Sequence, residues 1–199
     1  MVEVELKYIS INEIKSHFDE LFDYVSQIRK DKVNKLIKES DKYLSLGAGY
    51  LIKKYIGDNI KYNVNGKPYT DNIYFNISHS GEYIVLAISN VEVGIDIERV
   101  SNKDVSNIVK SFSLEEQKFI KSEKDFYLIW TNKESLIKCI GETIGVFNKI
   151  SSLPINGIKE YKGHKYNSKS FEIDNHTISL TINSEDDFKI NMKNIKIDV

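Results

Sequence analysis

The stretch from Ile73 to Val100 constrains the chain most. Ile73–Ser78 and Tyr83–Ser89 alternate or run apolar in the manner of strands, and only His79-Ser80-Gly81-Glu82 separates them. So short a link joins antiparallel neighbours, and Val91–Val100 follows at once as a third strand. A chain that commits its middle this way needs helices or a second sheet to cover the faces so formed. The preceding residues supply helices. Val2–Ile9 alternates as a strand, and Ser10 with Glu13 three positions on forms a capping-box pattern. That box opens a helix carrying Ile14, Phe18, Leu21 and Phe22. Helical patterns follow at about 26–37 and 41–56, with turn signals at Gly57-Asp58 and Asn65-Gly66.

The second half begins alike. Ser113 and Glu116 form another capping box, helices are predicted over about 114–122 and 124–140, and strands over about 157–161, 170–174, 176–183 and 187–197. Helices followed by a hairpin-rich sheet thus occur twice, dividing the chain into 1–92 and 93–199. One local echo supports an old duplication: Phe75 to Ile84 and Leu180 to Lys189 each read as a strand, a polar turn around a serine, and a strand opened by an aromatic. One continuous α+β domain is the plainer alternative.

Composition excludes several classes. Twenty-eight Lys and Arg against 29 Asp and Glu leave a net charge of −1, unlike the basic footprint of a general nucleic-acid binder. A single cysteine, Cys139, excludes an internal disulfide framework and a cysteine-rich zinc site, and its helical position predicts burial. No apolar run approaches the roughly 20 residues of a membrane span, and MVEVELKYIS lacks the character of a signal sequence. A cytoplasmic protein is expected. Arg29 and Arg99 are the only arginines, so phosphate contacts must come mainly from lysine.

Three groups of residues carry chemistry. In Val93-Gly94-Ile95-Asp96-Ile97-Glu98 a strand would turn Val93, Ile95 and Ile97 to one face and Asp96 and Glu98 to the other. Two like charges so placed suit Mg²⁺, and Gly94 permits close backbone approach. A strand with an acidic solvent face shows the same pattern. In Trp130-Thr131-Asn132-Lys133-Glu134-Ser135-Leu136-Ile137-Lys138, helical spacing aligns Trp130, Glu134 and Lys138. They read either as a surface ion pair or as a buried face offering a metal ligand and a phosphate clamp. Phe75 to Gly81 ends a strand in Ser-His-Ser-Gly, which places a hydroxyl, an imidazole and free backbone N–H groups at one rim. That arrangement suits phosphate. It also fits an ordinary hairpin.

In this order and spacing the motifs GKP (66–68), FNISHSG (75–81), VGIDIE (93–98), FSLEE (112–116) and WTNKESLIK (130–138) resemble the 4′-phosphopantetheinyl transferases, and in particular their larger, surfactin-synthetase-activating (Sfp-like) type. The resemblance runs from about Ser26 to Gly141. It implies two similar α/β halves in one chain, an intramolecular pseudo-dimer that is expected to act as a monomer. Coenzyme A would lie in the cleft between the halves. A serine of an apo acyl or peptidyl carrier protein would attack the β-phosphate, releasing adenosine 3′,5′-bisphosphate. By resemblance Asp96, Glu98 and Glu134 are Mg²⁺ ligands. Lys138, with Lys133 beside it, clamps the diphosphate, and Ser78 and His79 form the phosphate-binding turn. Gly66, Lys67 and Pro68 lie against the adenine. Arg29 and Lys32 sit near the 3′-phosphate, with Ser45 nearby.

Glu134, acting directly or through a metal-bound water, is read as the base because it alone of the three carboxylates is expected from the opposite half, where the serine approaches. Relatives commonly carry Arg just before the position of Ser45. Here it is Leu44, so a 3′-phosphate contact is expected to be missing or taken by Lys42. A non-catalytic module that holds carrier protein or coenzyme A is the alternative of a different class, and the intact Asp96, Glu98, Glu134 and Lys138 set speaks against it.

Overall fold

Alternation of apolar and charged residues from Val2 to Ser10 makes the first strand, β1, and Ser10 ends it by capping a helix, its Oγ accepting from the Glu13 amide at 3.4 Å. In the computed structural model, which describes residues 1–198, the elements then run in order α1 (Ile11–Ser16), α2 (Phe18–Tyr24), α3 (Gln27–Asn34), α4 (Glu39–Tyr55), β2 (Lys61–Tyr62), β3 (Pro68–Tyr69), β4 (Tyr74–Ser80), β5 (Tyr83–Ser89) and β6 (Val93–Arg99). After them come α5 (Ser106–Val109), α6 (Leu114–Phe119), α7 (Glu123–Ile140), a short 3₁₀ turn (Ile144–Lys149), β7 (Gly157–Tyr161), β8 (His164–Ile173), β9 (His176–Ile182) and β10 (Phe188–Asn194). The single helix expected after Ser10 is broken at His17, whose backbone leaves the helical region.

Two four-stranded sheets, ordered β10-β1-β5-β4 and β6-β9-β8-β7, form the frame. Alternation gives each sheet two different faces. Val4, Leu6, Val85 and Ala87 of the first meet Val93, Ile95, Ile97, Ile178, Leu180 and Ile182 of the second in one fully buried aliphatic core. The first sheet's other face, with Ile9, Ile84 and Leu86, is covered by α4 and the short helices. The second sheet's other face is covered by α7. Edge strands β4 and β6 lie side by side, and the Asn76 Oδ1 accepts from the Ile95 amide at 2.9 Å. Among the described residues no helix is long and apolar enough to cross a membrane.

The structure corrects three expectations. The link after β4 is two residues, not four: His79 pairs with Ile84 and Ser80 with Tyr83, leaving Gly81 and Glu82 as the turn, with Gly81 at φ +54°. A positive φ at that position is what a two-residue hairpin requires. The echo between 75–84 and 180–189 ends at the turn, because β10 does not fold back on β9. It crosses over and pairs in parallel with β1, Val2 against Phe188. For the same reason residues 93–199 are not self-contained, since their last strand completes the sheet of the first half. The ribbon of β2 and β3 has no counterpart in the sequence reading.

Candidate active site

The cleft opens where β4 and β6 run together, between α4 and α7. Gly94 brings α7 onto β6: a Cβ at this position would stand 2.0 Å from the Ser135 carbonyl oxygen and 2.3 Å from the Cys139 amide nitrogen. That approach leaves one face of α7 over the edge of β6. Trp130, Glu134 and Lys138, spaced one turn apart, share it and are half-buried. A cavity of about 510 Å³ is lined by Arg29, Lys32, Pro68, Ser78, His79, Asp96, Glu98, Trp130, Glu134 and Lys138. Ala48, Ile52, Tyr62 and Ile77 also line it. Ala48, Ile52 and Tyr62 lie outside every motif of the sequence reading, and Ile77 lies within FNISHSG without being singled out.

Charge is arranged along this cleft. Asp96 is 4% exposed, and its Oδ1 accepts from the Lys138 ammonium at 2.6 Å and the Ser78 hydroxyl at 2.9 Å. Ser80 donates to Glu98 Oε2 at 2.7 Å. Burial and then the Asp96 charge push the Glu98 carboxyl above its usual range, against the Ser80 hydrogen bond. The Glu134 carboxyl is raised too, first by burial and then by Asp96, with Glu98 adding to it and Lys138 opposing. His79 lies exposed toward the cleft. Neighbouring protein atoms strip part of its water, and Lys138, Lys32 and Arg29 add repulsion, so its imidazole is held below the usual range.

The donor set fits a divalent cation. Asp96 Oδ2 is buried with no hydrogen-bond partner, and Glu98 and Glu134 repel it and each other, so positive charge at this point would relieve all three. Hard carboxylate oxygens of this kind suit Mg²⁺, which keeps several positions for water or phosphate oxygens. The three carboxylates are not drawn together, however: among the described residues no three His, Cys, Asp or Glu side chains form a group that could hold a metal ion as they stand.

Four expected contacts lie elsewhere. Lys133 points away from the cleft and is 1% exposed; its ammonium bonds Glu116 Oε1 at 2.9 Å and the carbonyls of Phe147 and Ile150 at 3.1 and 2.6 Å. One residue along a helix is a turn of 100°, so Lys133 and Glu134 cannot share a face. Lys67 donates to the Cys139 carbonyl at 2.7 Å, closing the end of α7, while Gly66 makes the turn before it at φ +81°. Only Pro68 of that motif faces the cavity. Ser45 is 5% exposed and accepts from Arg29 Nη1 through its hydroxyl at 3.4 Å and its carbonyl at 3.3 Å. Leu44 is buried in the core beneath α4. Glu134 does not come from the opposite half, since α7 packs on the sheet that carries Asp96 and Glu98. Cys139 is buried as expected, and burial pushes its thiol up to about 12.

Known proteins resemble the chain along much of its length. Residues 92–190 match the family model of the 4′-phosphopantetheinyl transferase superfamily. The chain is 37% identical over 171 residues to 4′-phosphopantetheinyl transferase gsp of Aneurinibacillus migulanus, covering 77% of this chain and 71% of that one. It is 37% identical over 89 residues to 4′-phosphopantetheinyl transferase psf-1 of Bacillus pumilus, covering 40% of this chain and 38% of that one. To the L-aminoadipate-semialdehyde dehydrogenase-phosphopantetheinyl transferase of Mus musculus it is 31% identical over 150 residues, 58% of this chain and 48% of the relative.

Proposed function

Since the chain belongs to the 4′-phosphopantetheinyl transferase family, we propose that it transfers 4′-phosphopantetheine from coenzyme A to a serine of an apo acyl or peptidyl carrier protein. One observation carries the reading: three mutually repelling carboxylates and the cations Arg29, Lys32 and Lys138 line the same cavity. A diphosphate is the substrate that such a cleft balances.

Asp96, Glu98 and Glu134 would hold Mg²⁺, which when bound neutralises charge on the diphosphate oxygens. The protein's own groups do the rest. Arg29 and Lys32, which also line an adjoining cavity, suit the 3′-phosphate, and Lys138 and His79 the diphosphate. The serine oxygen forms a bond to the β-phosphorus as the bond to the bridging diphosphate oxygen breaks. Adenosine 3′,5′-bisphosphate leaves with the electron pair, and the serine proton passes to the Glu134 carboxylate. Glu134 lines the same cavity as the cations assigned to the diphosphate, where a positioned carboxylate can take that proton. Positioning and charge neutralisation supply most of what such a transfer needs. Action as a cytoplasmic monomer belongs to the same reading, with the two helix–sheet units standing as halves of an internal pseudo-dimer.

Intact-mass analysis of several apo carrier proteins incubated with the chain, coenzyme A and Mg²⁺ tests this. A phosphopantetheine-sized gain that chelator abolishes is expected. No gain on any carrier would contradict the proposal.

A further inference from the structure

Arg29 reaches the cleft by lying across α4. Its Nη1 bonds the hydroxyl and carbonyl of Ser45, and one turn further along α4 its stem crosses Gly49. A Cβ at Gly49 would stand 2.7 Å from Arg29 Cγ and 2.9 Å from Nε, distances that real Cβ atoms essentially never show. Gly49 lies well inside a helix of 17 residues, where glycine is a poor helix former and its backbone has no positive φ to explain it. The neighbouring Gly47 faces the other way, toward the Cδ1 atoms of Ile14 and Ile84 in the core. The two glycines therefore answer to different neighbours. Arg29 forms no ion pair among the described residues, and it lines both the cleft and an adjoining cavity of about 410 Å³.

We propose that Gly49 is a positioning residue for the nucleotide: it is the bare seat on which Arg29 lies flat against α4, and through Arg29 it sets the preference for coenzyme A over its 3′-dephospho form. The inference rests on the reading of Arg29 and Lys32 as partners of the 3′-phosphate. A methyl group at 49 leaves α4 intact, because the arginine is the more mobile of the two and swings away. Its guanidinium then loses Ser45 and its aim into the cleft. With Leu44 buried in the core, Arg29 carries this discrimination without help from that position.

The test is steady-state transfer to one apo carrier protein by Gly49→Ala, Arg29→Ala and the double variant, each with coenzyme A and with 3′-dephospho-coenzyme A, alongside thermal melts. For Gly49→Ala the KM for coenzyme A should rise about tenfold, the loss of one charge-assisted contact. Its kcat should stay within about twofold, the KM for the dephospho form should not change, and the melting temperature should hold or rise. The double variant should be no worse than Arg29→Ala. An unchanged KM in Gly49→Ala while Arg29→Ala raises it would remove Gly49 from the account and leave the reading of Arg29 standing. If neither variant changes the ratio between the two substrates, that reading falls as well. A lowered melting temperature with both substrates equally weakened would make Gly49 merely structural, and would overturn the proposal.

Discussion

The two long helices sit on their sheets in different ways. α4 packs Leu44, Leu46, Ala48, Tyr50 and Leu51 into one cluster with Ile9, Ile14, Ile84 and Leu86, a seat made of apolar side chains. α7 meets its sheet through hydroxyls: Thr131 bonds Ser179 and Ser135 bonds Thr181, each at 2.8 Å, and the same two β9 residues are bonded in turn by Ser170 and Ser168 of β8, at 2.7 and 2.8 Å. Hydrophobic contact is non-directional and tolerates small slides. A row of satisfied hydrogen bonds fixes both the rotation and the height of a helix. The helix that carries Glu134 and Lys138 has the directional seat, and the helix that carries only a bed for Arg29 has the tolerant one.

The strongest way to break this comparison is to put a methyl group under each helix. Gly94→Ala drives Cβ into the backbone of α7 and should cost more than about 3 kcal/mol and abolish transfer, whereas Gly47→Ala meets only side-chain atoms, the Cδ1 of Ile14 and Ile84 and the Cγ1 of Ile14, and should cost about 1 kcal/mol. Urea denaturation reads both, and equal costs would refute the contrast. Next, Leu46→Ala in the apolar seat should cost about 3 kcal/mol in the same assay and leave kcat at saturating coenzyme A within about twofold.

A third test concerns Lys159 on β7, 5% exposed and with no partner for its ammonium. Burial holds its pKa down to about 7 in the folded chain against an ordinary 10.5. Between those values the unfolded chain binds more protons, so the parent gains stability as pH rises through that window and carries the full penalty below it. Lys159→Met should therefore stabilise by about 2 kcal/mol at pH 6 and by little at pH 10. Calorimetric melts at the two pH values would show it. A stability cost of about 1 kcal/mol is also expected for Thr131→Val, which removes one hydroxyl from the directional seat. Its transfer rate should nevertheless fall about tenfold, the reverse of the Leu46→Ala pattern.

Much of this was legible locally. Period-two alternation placed Asp96 and Glu98 on one face of β6, and a spacing of four placed Trp130, Glu134 and Lys138 on one face of α7. Lys133 and Lys67 were misplaced because their partners, Glu116 and the Cys139 carbonyl, lie far off in sequence, and no local period reports on such pairs. The crossing of β10 to β1 was hidden for the same reason: a strand pattern says where a strand is, not which neighbour it takes. Gly49 shows the limit most plainly, since nothing in Gly47-Ala48-Gly49 tells that one glycine faces the core and the other an arginine.

The central claim is that α7 is held still so that Glu134 can accept the serine proton in the cleft. Single-turnover transfer by Glu134→Gln, at saturating Mg²⁺ and coenzyme A and with coenzyme A binding measured separately, tests it most directly. The account predicts a rate at least about 100-fold below the parent with coenzyme A still bound, the scale of a lost general base. A rate near that of the parent would contradict it.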